Sequence, residues 1–241
     1  INRTEEFYNS HIIQETNVVP KVLGFDGLSK KYLITEYLPG KVLVNNDLKD
    51  KSKMFNVLDS MKKFHTSQKF LNEFDPFKMI LFYEGWLSSR GYKFKKDRIK
   101  IKLIKKYMKR DLNEFVSCHN DIRAYGNIIE TKNGIKFVDL EFTGNNDPCY
   151  EIGFLWSESK LSIDDLHIMI YYYFGKDVIK NSAKAQLYAI VSDYMWYLQG
   201  LVGNKLRNQE DVWLMYSTIT YDNFKNKSKI KNLIPLLISL F

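Results

Sequence analysis

The stretch "CHNDIRAYGNIIETKNGIKFVDLEF", residues 118–142, constrains the chain more than any other. Asp121, Asn127 and Asp139 each stand beside apolar runs of strand type. Polar side chains next to buried strands cost desolvation unless something offsets it. With Gly134 marking the turn, pairing of residues 128–130 with 136–138 brings Asn127 and Asp139 to one end of a hairpin, and Asp121 sits just before it. Two oxygen ligands there suit Mg²⁺, which takes a few protein oxygens and completes its shell with substrate phosphates. The remaining carboxylate can hold an attacking hydroxyl. A turn whose Asp and Asn bond only backbone explains any one of these residues. For the three together, behind His119 and Asn120, phosphoryl transfer is the better reading.

The rest of the chain agrees with a packed protein. Its 241 residues are 45% hydrophobic and 15% aromatic, enough for a sizeable core and too apolar for disorder. Cys118 and Cys149 make neither a disulfide framework nor zinc spacing, so a reducing, cytoplasmic compartment is expected. The longest apolar run, residues 233–241, is too short to span a bilayer and reads as a final packed helix. The first residue is Ile1 and not Met, so an upstream stretch is expected. Helical spacing covers residues 2–16, 52–68, 77–91, 95–113, 164–174, 183–200 and 209–224, with short strands at 21–26 and 30–38. The expected class is α+β, with a small strand-containing part to residue 40, a helical part over 41–241 holding the polar hairpin, and a cleft between two lobes.

The net charge of +8 invites a nucleic-acid reading, and residues 93–110 hold ten basic residues against one acidic. Within that stretch Ile99, Leu103 and Tyr107, and likewise Ile101, Ile104 and Met108, recur at helical spacing. An amphipathic helix with a wet basic face is therefore expected rather than a phosphate-backbone groove. No zinc finger or ribonucleoprotein motif accompanies it, so no specific nucleic-acid partner is expected.

The segment "CHNDIRAYGNII…KFVDLEFTGNNDPCYEIG" resembles the catalytic core of the choline/ethanolamine kinases, bacterial choline kinases above all, in the aminoglycoside-phosphotransferase branch of the protein-kinase-like fold. "INRTEEFYN", "YLITEYLPGKVL", "FHTSQKFLNEFDPF" and "SDYMWYLQG" resemble further family segments, so the likeness spans most of the chain. The resemblance implies a two-lobed fold and ATP and Mg²⁺ as cofactors. Asp121 becomes the catalytic Asp, Asn127 and Asp139 the metal and phosphate ligands, and Glu36 and Leu38 the adenine-facing hinge. Glu6 becomes the ion-pairing helix Glu, and Glu151 a brace of the catalytic loop, with His119 and Asn120 supporting it. Glu158, Asp193 and Trp196 fall where the family holds a cationic substrate, whose quaternary ammonium must be bound by charge and ring faces.

The chain departs from the family pattern at four points. It shows no phosphate-covering hairpin and no strand Lys. Five residues, not four, separate Asp121 from Asn127, so a bulge is expected near Gly126. Gln199 stands where a second Trp is frequent, and Glu151 replaces Asp. The expected function is ATP- and Mg²⁺-dependent phosphorylation of a small cationic alcohol, choline first and ethanolamine second. The rivals are an aminoglycoside-type phosphotransferase and an impaired pseudokinase or binding module. Ten acidic and ten basic residues over 147–241 argue against a polycationic sugar substrate.

Overall fold

A computed structural model describes residues 2–27, 29, 32–206 and 210–241. The chain forms two compact units, Ile1–Phe74 with Asp111–Val178, and Asp75–Arg110 with Ile179–Phe241. The expected boundary at residue 40 falls inside the first of them.

The first unit opens with α1 (Arg3–Ile13), which Asn2 starts by accepting from the amides of Thr4 and Glu5. Buried Asn9 then fixes the helix, donating to Asn72 Oδ1 at 2.8 Å and to Thr143 Oγ1 at 3.1 Å. Strands β1 (Val22–Phe25) and β2 (Leu33–Thr35) pair antiparallel with a bulge between Val22 and Gly24. Lys30, at the expected start of the second strand, lies outside the described residues. Strand β3 (Gly40–Val42) extends the hairpin formed by β5 (Ile128–Thr131) and β6 (Gly134–Phe137) into a three-stranded sheet. A second small sheet pairs β4 (Val116–Cys118) with β7 (Gly144–Asn146). Helix α2 (Lys51–His65), started by Asp50, packs its Met54, Val57, Leu58, Met61 and Phe64 inward. Helices α5 (Pro148–Glu158) and α6 (Ile163–Phe174) complete the unit.

The hairpin register differs from expectation by one residue. Ile128 faces Phe137, Ile129 faces Lys136 and Glu130 faces Ile135, so the returning strand pairs one position earlier than 136–138. The cause is a tight connection. Only Lys132 and Asn133 separate the paired Thr131 and Gly134, and Gly134 adopts φ +100°, which favours glycine. The Val138 amide still donates to the Asn127 carbonyl at 3.1 Å. Asp139 therefore leaves the ladder directly after it.

The second unit is helical: α3 (Pro76–Ser88), α4 (Lys95–Tyr107), α7 (Val178–Leu206), α8 (Glu210–Lys227) and α9 (Ile230–Ile238). Gln209, the expected start of α8, lies outside the described residues. Glu84 ties three of these helices, accepting from Tyr194 Oη at 2.8 Å and from Arg98 Nε at 2.6 Å. Of the two apolar stripes expected on α4, only Ile101, Ile104 and the following Met108 are buried, while Ile99, Leu103 and Tyr107 stay exposed. The stripes lie on opposite sides of a surface helix, and only one side meets a neighbour. Among the described residues no helix is long and apolar enough to cross a membrane.

Two glycines test this packing in opposite directions. A Cβ at Gly144 would lie 2.9 Å from the Phe74 amide nitrogen, whereas one at Gly85, inside α3, meets nothing. Gly144→Ala should cost about 1–3 kcal/mol by overpacking. Gly85→Ala should stabilise by about 0.5–1 kcal/mol. Thermal melts moving in the same direction for both would contradict the packing described.

Candidate active site

Asp121 is only 1% exposed. Asn127 Nδ2 donates to its carbonyl at 2.7 Å and to its Oδ2 at 2.9 Å. This leaves Asn127 Oδ1 as the free acceptor end of the amide. Among the described residues Asp121 Oδ1 has no hydrogen-bond partner, and Arg123 Nε forms an ion pair with it at 3.6 Å. Burial pushes the Asp121 carboxyl up to about 7; Arg123 and Asn127 oppose the shift, while Asp139 and Glu158 add to it.

The residues around Asp121 are clamped. Asn120 takes a left-handed φ of +67°, which Asn tolerates better than most residues. Its Nδ2 donates to the Phe142 and Gly144 carbonyls at 3.0 and 3.1 Å, and its Oδ1 accepts from Asn146 at 2.9 Å. Glu151 Oε1 accepts the Asn120 amide at 2.6 Å, while its Oε2 is hydrogen-bonded by His65 Nε2. His65 Nδ1 meets Tyr173 Oη at 2.6 Å. Glu151, His65 and Cys118 also bring potential metal ligands within 4.8 Å, but the hydrogen bonds of the brace already occupy Glu151 and His65. His119 Nε2 donates to the Val138 carbonyl at 2.8 Å, and its Nδ1 accepts from the Asp121 amide at 3.3 Å. Burial pushes His119 below the usual imidazole value, so it stays neutral and links Asp121 to the strand that delivers Asp139. In this loop Tyr125, next to Gly126, takes a left-handed φ of +70°.

Asp139 follows β6 with φ +67° and starts a 3₁₀ turn over Leu140–Phe142. It lines a cavity of about 490 Å³ together with Arg3, Glu6, Glu36, Tyr37 and Leu38. The Glu36 amide is already given to the Lys21 carbonyl at 2.9 Å. Glu6 is paired with Arg3 at 2.5 Å. Sequence reasoning missed Arg3 and Glu141. Glu141 lies 4.0 Å from Arg3, and burial, with Asp139 and Glu6 adding, raises its carboxyl above the usual value. The signal was present: Glu141 follows Asp139 by two in the same run "DLE". Glu6, Asp139 and Glu141 thus form a carboxylate excess offset by Arg3.

The residues expected to hold a substrate cation divide between the units. Glu158 ends α5 in the first, close enough to raise the Asp121 carboxyl. Asp193, Trp196 and Gln199 lie on α7 in the second. There Asp193 receives Lys227 Nζ at 2.7 Å, Trp196 stands edge-on to Tyr216, and Gln199 Oε1 is buried with no hydrogen-bond partner among the described residues.

A sequence profile of the family described as choline/ethanolamine kinase matches residues 1–235. A choline/ethanolamine kinase family protein from Mesorhizobium loti superposes with a TM-score of 0.83 at 22% identity, covering 100% of this chain and 83% of that one. Choline kinase LicA from Streptococcus pneumoniae gives 0.79 at 21% identity over 95% and 81%, and LicA in complex with AMP gives 0.74 at 21% over 94% and 79%. The Plasmodium vivax ethanolamine kinase gives 0.80 at 20% over 93% and 73%. At these identities the likeness speaks for the fold, which is α+β and protein-kinase-like.

The brace has a measurable consequence. Glu151→Ala strips a buried partner from both the Asn120 amide and His65, at about 1–3 kcal/mol for each group left unsatisfied. Its Tm should fall sharply, and Glu151→Asp, shorter by one methylene, should lose less. An unchanged Tm for Glu151→Ala would contradict the brace.

Proposed function

The chain belongs to the choline/ethanolamine kinase family, and is a small-molecule phosphotransferase with an alcohol acceptor; on that premise we propose that it moves the γ-phosphoryl group of ATP to the hydroxyl of choline. The observation that carries this reading is the pairing of Asp121 with Asn127, which leaves Asp121 Oδ1 buried and open to a donor. A substrate hydroxyl is such a donor. Asp121 orients it and takes its proton as the oxygen bonds to phosphorus and the bond to ADP breaks. Positioning and charge neutralisation supply most of the catalysis in such transfers, so few reactive groups are required.

Asn127 Oδ1 and the Asp139 carboxylate are the residues that would hold Mg²⁺, and the carboxylate excess of Glu6, Asp139 and Glu141 suits a divalent cation. When bound, the metal neutralises charge on the phosphates. The cavity of about 490 Å³ beside Glu36 and Leu38 supports an adenine site. A cytoplasmic setting, where ATP is at hand, accompanies this reading.

Ethanolamine is the second reading, and one observation favours it. Gln199 Oε1 lacks a hydrogen-bond partner among the described residues, and a primary ammonium can donate to it where choline cannot. Asp193, already paired with Lys227, brings little uncompensated charge of its own.

Asp121→Asn should lower kcat about a hundredfold or more with little change in ATP affinity. Asp139→Asn should abolish Mg²⁺-dependent turnover with the fold intact, and normal turnover would refute the metal assignment. Gln199→Trp should move the kcat/KM ratio toward choline over ethanolamine by about tenfold. An unchanged ratio would remove Gln199 from substrate selection.

A further inference from the structure

The chain's charge is divided unevenly. The second unit carries 20 Lys and Arg against 7 Asp and Glu, the first 16 against 21, so the net +8 separates into +13 and −5. Much of the excess lies on and beside α4. The exposed stripe Ile99, Leu103, Tyr107 recurs every four residues, with exposures of 61%, 36% and 37%. At 100° per residue, Lys95, Lys102 and Lys106 flank it on one side, and Lys96 falls within it at the angle between Leu103 and Tyr107. None of these four lysines has a carboxylate partner among the described residues. The helix's one acid, Asp97, is turned to Tyr221 Oη at 3.0 Å. Beside Ile99 lies a cavity of about 470 Å³ whose charged lining among the described residues is Lys93, Lys95, Lys102 and Arg98, the last paired with Glu84.

Nothing in the fold requires this face. The core side of α4 is complete with Ile101 and Ile104, and lysines at a helix N-terminus oppose its dipole. We propose that the outer face of α4 docks the protein onto an anionic lipid bilayer, with Ile99, Leu103 and Tyr107 entering the headgroup boundary and the flanking lysines meeting lipid phosphates. A nucleic-acid backbone complements the lysines equally but offers nothing to Ile99 and Leu103 at the centre of the face. A bilayer interface complements both. The adjoining basic cavity has room for one phosphodiester headgroup. The docking face includes none of the candidate catalytic residues, Asp121, Asn127 and Asp139.

Co-sedimentation of the chain with vesicles tests this. Binding is expected to vesicles containing about one-third phosphatidylglycerol but not to pure phosphatidylcholine, and to weaken as salt rises from about 0.1 to about 0.5 M. Ile99→Ser/Leu103→Ser keeps every charge and should weaken binding about tenfold. Lys102→Gln/Lys106→Gln should weaken it through charge alone. Both variants should keep the wild-type Tm and turnover, which separates lost docking from lost fold. Three results would overturn the proposal: no binding to anionic vesicles at low salt, unchanged binding by the Ile99/Leu103 variant, or duplex DNA bound as tightly as the vesicles.

Discussion

A carboxylate taken almost wholly out of water must be held by other groups, and the first unit is organised around holding Asp121. Asn127 grips it from one side and His119 from the other. Asn120, between His119 and Asp121, is saturated by Asn146, three backbone carbonyls and Glu151. Each clamp reaches a different place: Val138 just after β6, β7 through Gly144 and Asn146, α5 through Glu151, α2 through His65. The geometry of the loop is thus over-determined, which lets three consecutive functional positions tolerate a left-handed Asn120 and a buried Asp121 with one oxygen unbonded.

The same logic places the second carboxylate. Asp139 is delivered by the β5–β6 hairpin, whose register the two-residue turn at Lys132 and Asn133 determines. Helix α1 comes to it because Asn9 binds Thr143 and Asn72, which sets Glu6 and Arg3 on the wall of the cavity that Asp139 lines. Polar side chains, more than apolar packing, decide where these elements stop. That is expected where a site must present charge to a ligand rather than bury it.

The long periodic helices were legible because period alone identifies them. The hairpin register was not: the expected pairing left a longer turn, and only Gly134 at φ +100° closes it in two residues. Nor was the anchoring of the loop: the Tyr125 amide donates to the Leu43 carbonyl at 2.8 Å, a contact far away in sequence. On α4 the spacing revealed two apolar stripes but not which one had a neighbour, since period carries no information about what packs outside the helix. The contact between Arg3 and Glu141 joins residues far apart along the chain, so spacing alone did not bring the two together. The candidate catalytic residues were readable because their chemistry is local to one 25-residue stretch.

Phosphorus NMR of the chain with ATP, Mg²⁺ and choline follows the proposed bond exchange itself. The γ-phosphate signal should decay into ADP and a new phosphomonoester on the choline hydroxyl, with none formed when choline is omitted. ATP that stays intact, or that yields only inorganic phosphate with choline present, would contradict transfer to an alcohol held at Asp121.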